Sequence, residues 1–287
     1  MPQHLFQILI LAGIGLYLYQ WLSTTPTTLL GASSYDETEI LDLFTDLYNI
    51  LIRQGYLQAD KVIWAPSEGH DITLSVLDDP DRLDPRIVSL MKKLPVGPDQ
   101  ACIVPNMQSM HFMSPHELVR SRDIDKVVHW ELQGPPWPPL NQTNALPTVI
   151  QLLDADESTD PVLVLNVADN TIRVFNEVYN GPHHLDVPAE DASSYLRHVL
   201  DNYRTGRWIG IDWDIVDTSF MIHLSGYWGP ELQRIFLEDY HWPSERFRRE
   251  DWLQDRDRVV GHLMLCHPDP HSGDSEDDIR RRREECP

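Results

Sequence analysis

The sequence predicts an α+β fold: a small antiparallel or mixed sheet packed with several helices, a helical C-terminal quarter, and a hydrophobic segment at the N-terminus. Three observations carry this. Ile40, Leu43, Phe44, Leu47 and Leu51 recur at three- and four-residue steps, the period of a helix with one apolar face. Val162–Leu165 and Ile172–Val178 are apolar, β-branched runs on either side of Asp169-Asn170, the pattern of a hairpin. Between Pro230 and Cys266 the patterning is that of two helices.

The chain divides accordingly into a hydrophobic membrane-anchor segment (1–22), a tether (23–33), a single α+β globular domain (34–268) and a charged tail of disordered composition (269–287). Leu5 to Leu22 is an eighteen-residue stretch without a charge, the length at which a helix crosses the ~30 Å hydrocarbon core of a bilayer. Tyr17, Tyr19 and Trp21 gather at its C-terminal end, where amphipathic rings favour the headgroup zone. The alternatives are a cleaved signal peptide and a buried first helix. The first lacks a basic residue within Met1–His4 and a small-residue cleavage site. The expectation is a single-pass membrane protein with a cytosolic globular domain; no lysine or arginine precedes Arg53, so orientation is not legible.

Inside the domain, Ser34 and Glu37 have the spacing of a capping box and Gly55 is a helix stop. A second helix is predicted from Asp84 as cap and Pro85 at the first position, through Ile87, Leu90, Met91 and Leu94, to Pro95. Val96 to Leu146 reads as short edge strands and a long proline-rich loop. Beyond the 162–178 hairpin, Asp186 and Pro188 open a helix bearing Leu196, Val199, Leu200 and Tyr203, and Arg207 to Val216 reads as a strand. Pro230 begins one helix, and Arg248 to Cys266 forms a longer one.

With 45 acidic against 23 basic residues the formal charge is −22, and lysine occurs only at positions 61, 92, 93 and 126. Such a surface repels phosphate backbones, so nucleic acid is excluded as a partner. Cys102, Cys266 and Cys286 are too few for a disulfide framework of the small secreted type, and the folded part is expected to see reducing conditions. Asn141-Gln142-Thr143 is a glycosylation triplet that would act only in a secretory lumen.

Three constellations could carry chemistry. His262, Cys266, His267 and His271 form two pairs four residues apart, a metal-ligand spacing on a helix, but Pro268 and Pro270 break the second pair, so ordinary surface histidines are favoured and no metal or cofactor is expected. Asp212 and Asp214 bracket Trp213 in a strand, about 7 Å apart on one face, as weak candidates for acid-base work; a solvent-facing edge with Trp213 in the core is the favoured reading. Trp208, Trp213, Trp228, Trp242 and Trp252 cluster with Tyr227 and Tyr240. An aromatic core is the favoured reading, with Trp228, Trp242 and Tyr227 as the rim residues that would bind a partner. No nucleophile elbow, phosphate loop or His-Glu-x-x-His motif is present.

The succession of Glu39 to Tyr56, DPRIVSLMKKLP, DPVLVLNVADNTIRVF and IFLEDYHWPSERFRREDWL resembles a family of uncharacterised proteins from filamentous fungi, which implies no activity to carry over. More remotely, the hairpin at 162–178 with the helix at 189–203 resembles the SUKH superfamily of cell-wall-assembly regulators and immunity proteins, implying an α+β binding module; its Leu-Pro-x-x-Tyr stretch is absent, with only Leu94-Pro95 in its place. The expectation is a noncatalytic interaction or regulatory module, membrane-tethered, with a protein partner. The alternative is an enzyme or accessory protein of a fungal biosynthetic pathway.

Overall fold

The computed structural model describes residues 34–77, 80, 83–98, 101–122, 147–155, 161–175, 187–211, 220–223 and 229–266. By its contacts the chain forms two units, Met1–Ser33 and Ser34–Pro287, and every described residue belongs to the second. The predicted anchor at 5–22, the tether and the 269–287 tail lie outside the described residues. Among the described residues no helix is long and apolar enough to cross a membrane.

The fold is α+β, as predicted. Helix α1 (Glu37–Gln54) is capped by Asp36, whose Oδ1 accepts from the amides of Thr38 and Glu39 at 2.9 and 3.2 Å. This corrects the Ser34–Glu37 capping box: Asp36 lies directly before the first turn, and its carboxylate also suits the positive end of the helix dipole. Gly55 ends the helix at φ 80°, a left-handed conformation that glycine adopts without strain, and its amide donates to Ile52 and Leu51. Helix α2 (Pro85–Lys93) starts as expected, with Asp84 accepting from Arg86 N–H.

A six-stranded sheet follows in simple meander order: β1 (Cys102–Val104), β2 (Met107–Ser109), β3 (Val149–Ala155), β4 (Val162–Asn166), β5 (Thr171–Phe175) and β6 (Glu190–Asp191), every pair antiparallel. The β4–β5 hairpin turns through Asp169-Asn170, and Asn170 takes φ 52°, which asparagine tolerates. The elements that went unanticipated include helix α3 (Pro115–Arg122), in which Leu118 and Ser121 are buried, strand β3, the two-residue β6, the short 3-10 turn at Leu74–Val76 and the strand Phe220–His223. Helix α4 (Ala192–Arg204) begins later than Asp186 and Pro188 suggest, because Asp191 caps it by accepting from Ser194 N–H.

Strand β7 (Trp208–Ile211) pairs with β8 (Phe220–His223) as a separate hairpin, followed by helices α5 (Gly229–Glu238) and α6 (Arg249–Cys266). Alternation along β7 divides two cores. Trp208 joins the larger core built by α1, α2, α4 and the sheet, while Ile209 and Ile211 join a second with Leu232, Phe236, Tyr240, Trp242, Trp252, Val260 and Leu263. Gly210, on the Trp208 side, has no side chain because Tyr56 fills the space: a Cβ there would lie 2.6 Å from Tyr56 Cβ.

Candidate functional site

The second core accounts for much of the tryptophan cluster. Phe236 is its hub, with ring centroids 5.2 Å from Trp242, 5.6 Å from Phe247 and 4.7 Å from Trp252. Trp242 is 3% exposed, and its indole N–H donates to Tyr203 O at 2.8 Å. The expectation of Trp242 as a surface contact is therefore corrected: its ring stacks on Phe236 and meets Phe247 edge-on, and the Arg53 guanidinium lies 5.2 Å from the ring centroid. Tyr227, Trp228, Asp212 and Asp214 lie outside the described residues, as do His267 and His271.

Of the helix-end constellation, His262 is exposed and its Nε2 lies 3.5 Å from Cys266 Sγ. Cys266 is held in a disulfide, so it offers no thiolate to a metal. Among the described residues no group of three or more His, Cys, Asp or Glu side chains could hold a metal ion.

A polar pair inside the sheet was not foreseen. A register irregularity between Gln151 and Leu153 of β3 brings Gln151 and Asp154 to one side, although alternation would place them on opposite faces. Gln151 Nε2 donates to Asp154 Oδ1 at 2.7 Å, and both are buried. The bond gives each side chain a polar partner within the core.

The exposed surface is more telling. Among the described residues the large apolar side chains left in solvent are Ile63, Trp64 and Val119, at 49%, 41% and 42%. Val119 stands alone on α3, whereas Ile63 and Trp64 are consecutive. Their backbone is pinned where Ile63 exchanges two hydrogen bonds with Val96, at 2.9 and 3.0 Å. Trp64 rests edge-on against Tyr48 of α1, with ring centroids 6.2 Å apart. Tyr48 is fully buried; burial pushes its phenol up to about 12, and the facing Ser109 hydroxyl and Gly97 amide offset part of that shift. A rigid aromatic thus supports the inner edge of Trp64 while its outer part meets water. After Pro66, Gly69 and His70 run along the end of α2, where His70 N–H donates to Lys92 O at 2.7 Å and its ring Nε2 lies 2.9 Å from Leu94 O.

Sequence reasoning missed this pair because Ile63 and Trp64 belong to no periodic pattern. The available signal was Ile-Trp-Ala-Pro inside a stretch without helical or strand alternation, where a core role is hard to assign. Comparison with known protein families, with curated proteins and with solved structures finds no match.

Proposed function

We propose that this chain is a noncatalytic interaction module, held at a membrane by residues 5–22, and that Ile63 and Trp64 form its contact surface. One observation carries the reading: two consecutive large apolar side chains stand in solvent on a backbone fixed by the Val96 pairing, with a buried tyrosine behind the indole. Tryptophan supplies much contact area for little lost side-chain freedom, which suits an anchor residue in recognition. Holding it half exposed keeps apolar surface in water that burial in a complex would remove.

The test is a photocrosslinking residue at position 64 of the full chain, irradiated in cells. Discrete adducts, to protein or to lipid, support the reading; a chain that reacts only with solvent at position 64 overturns it. The tether is tested separately by alkaline carbonate extraction of the full chain and of a shortened chain beginning at Ser34. Retention of the full chain alone supports the anchor, and release of both removes it.

A further inference from the structure

We infer that Ile63 and Trp64 contact the bilayer itself, settling into the headgroup zone of the membrane to which the chain is tethered. The inference rests on the proposed tether and goes further by naming what the surface meets. Three independent observations converge on it.

The first is chemistry. Tryptophan beside an aliphatic side chain is the combination that favours the membrane–water boundary, where an indole keeps its N–H wet and its ring in the acyl region.

The second is charge. In a chain of net charge −22, three of the four lysines, Lys61, Lys92 and Lys93, fall on the segments that frame this pair. Lys61 is two residues before Ile63, and Lys92 and Lys93 end the helix that leads into Val96, the backbone partner of Ile63. Lys93 is engaged by Glu37, so Lys61 and Lys92 are the side chains that can reach phosphate oxygens while their stems cover apolar surface. Asp60 and Glu68 are exposed on the same segment, so the patch is of mixed charge and suits zwitterionic headgroups better than a strongly anionic surface.

The third is reach. Lys93 Nζ lies 2.6 Å from Glu37 Oε1, so the end of α2 that carries residues 69–70 also adjoins the start of α1, where the tether joins the body. Tyr48, against which Trp64 rests, is eleven residues further along α1, about 17 Å. The stretch Ser23–Asp36 is fourteen residues and spans up to about 50 Å when extended. A tether of that length holds the body near the bilayer at high effective concentration, so a two-residue contact of low intrinsic affinity suffices.

The experiment uses the full chain reconstituted into phosphatidylcholine vesicles, with and without lipid brominated along its acyl chains, which quenches tryptophans in contact with it. Wild type is compared with Trp64→Phe, a variant that keeps an aromatic against Tyr48 and removes one fluorophore. Expected is brominated-lipid quenching in wild type beyond that in W64F, the difference being the emission of Trp64, and loss of this difference when Ile63→Asp puts a charge into the patch. Vesicle flotation is read on the same samples. If the chain floats but the difference is absent, the bilayer contact is overturned while the tether stands, and a protein becomes the occupant of the surface. If the full chain does not float, the tether fails and the inference falls with it. An unchanged far-UV spectrum in both variants ties the loss to the patch and not to unfolding.

Discussion

The side chain of Gln54 serves strand β7 as a neighbouring strand would: Gly210 N–H donates to its Oε1 at 2.9 Å, and its Nε2 donates to Trp208 O at 3.3 Å. Gln54 is the last residue of α1 and fully buried, so helix and hairpin meet through one amide. Gln54→Leu fills the space but withdraws both hydrogen bonds from buried backbone. A loss of about 2–4 kcal/mol is expected from the urea midpoint, and Gln54→Glu, which cannot donate to Trp208 O, should be no better.

Gly55 gives a second test of the same junction. A Cβ there would stand 2.1 Å from Leu253 Cδ2, at φ 80°. Gly55→Ala should destabilise by about 2–4 kcal/mol, combining overpacking with a left-handed alanine. Measured in a Leu253→Ala background the clash is gone, and only the backbone part, about 1–2 kcal/mol, should remain. Equal losses in both backgrounds would show that the leucine yields without cost.

The two tryptophans of opposite burial should separate stability from contact. Trp242→Ala removes a ring stacked on Phe236 and is expected to cost about 3–5 kcal/mol. Trp64→Ala should cost less than about 1 kcal/mol and alter only what the surface binds. Calorimetric melting of both variants decides whether the surface residue is dispensable for folding.

Acid sensitivity should be readable at the start of α2. Hydrogen bonds from the Arg86 guanidinium hold the Asp84 carboxyl below its ordinary 3.8, with burial opposing. A depressed carboxylate stabilises the fold fully above pH about 4, and that contribution is lost as pH falls toward the lower folded value. Asp84→Asn keeps a good cap but does not titrate, so its urea midpoint should fall less than wild type between neutral pH and pH about 3. Asp84→Ala should lose about 1 kcal/mol at neutral pH through the missing cap.

Local signals in the sequence were sufficient wherever one residue's chemistry decides the outcome. Asp84-Pro85 opens α2, Gly55 closes α1 and Asp169-Asn170 turns the β4–β5 hairpin, because cap, stop and turn each depend on the nearest few amides. What escaped depends on partners distant in the chain. β3 carries Gln151 and Asp154 in an otherwise apolar strand, and the pairing of those two side chains across the irregular register helps make them tolerable there. The division of Trp208 from Ile209 and Ile211 into separate cores follows from which face of β7 meets Tyr56, a neighbour some 150 residues earlier. Of the clustered tryptophans, the described ones, Trp208, Trp242 and Trp252, are packed inside the two cores, while Trp64 stands exposed near Pro66 in a stretch without periodic pattern.

Beyond its last turn, α1 is finished by a helix made far later. Arg249 Nη2, Trp252 Nε1 and Arg256 Nη1 of α6 donate to the carbonyls of Ile52, Gln54 and Gly55 at 3.5, 3.2 and 3.0 Å. The 198 positions between Gln54 and Trp252 take a ribosome roughly 10–40 s to translate at about 5–20 residues per second. Throughout that interval α1, the first of the described helices to be made, waits for the side chains that donate to the carbonyls of Gln54 and Gly55. The meander, whose strands all pair with their neighbours in sequence, can assemble as it is made. The birth of this protein is therefore staggered: its sheet can form during synthesis, and the earliest of its described helices is completed only when the last of them arrives.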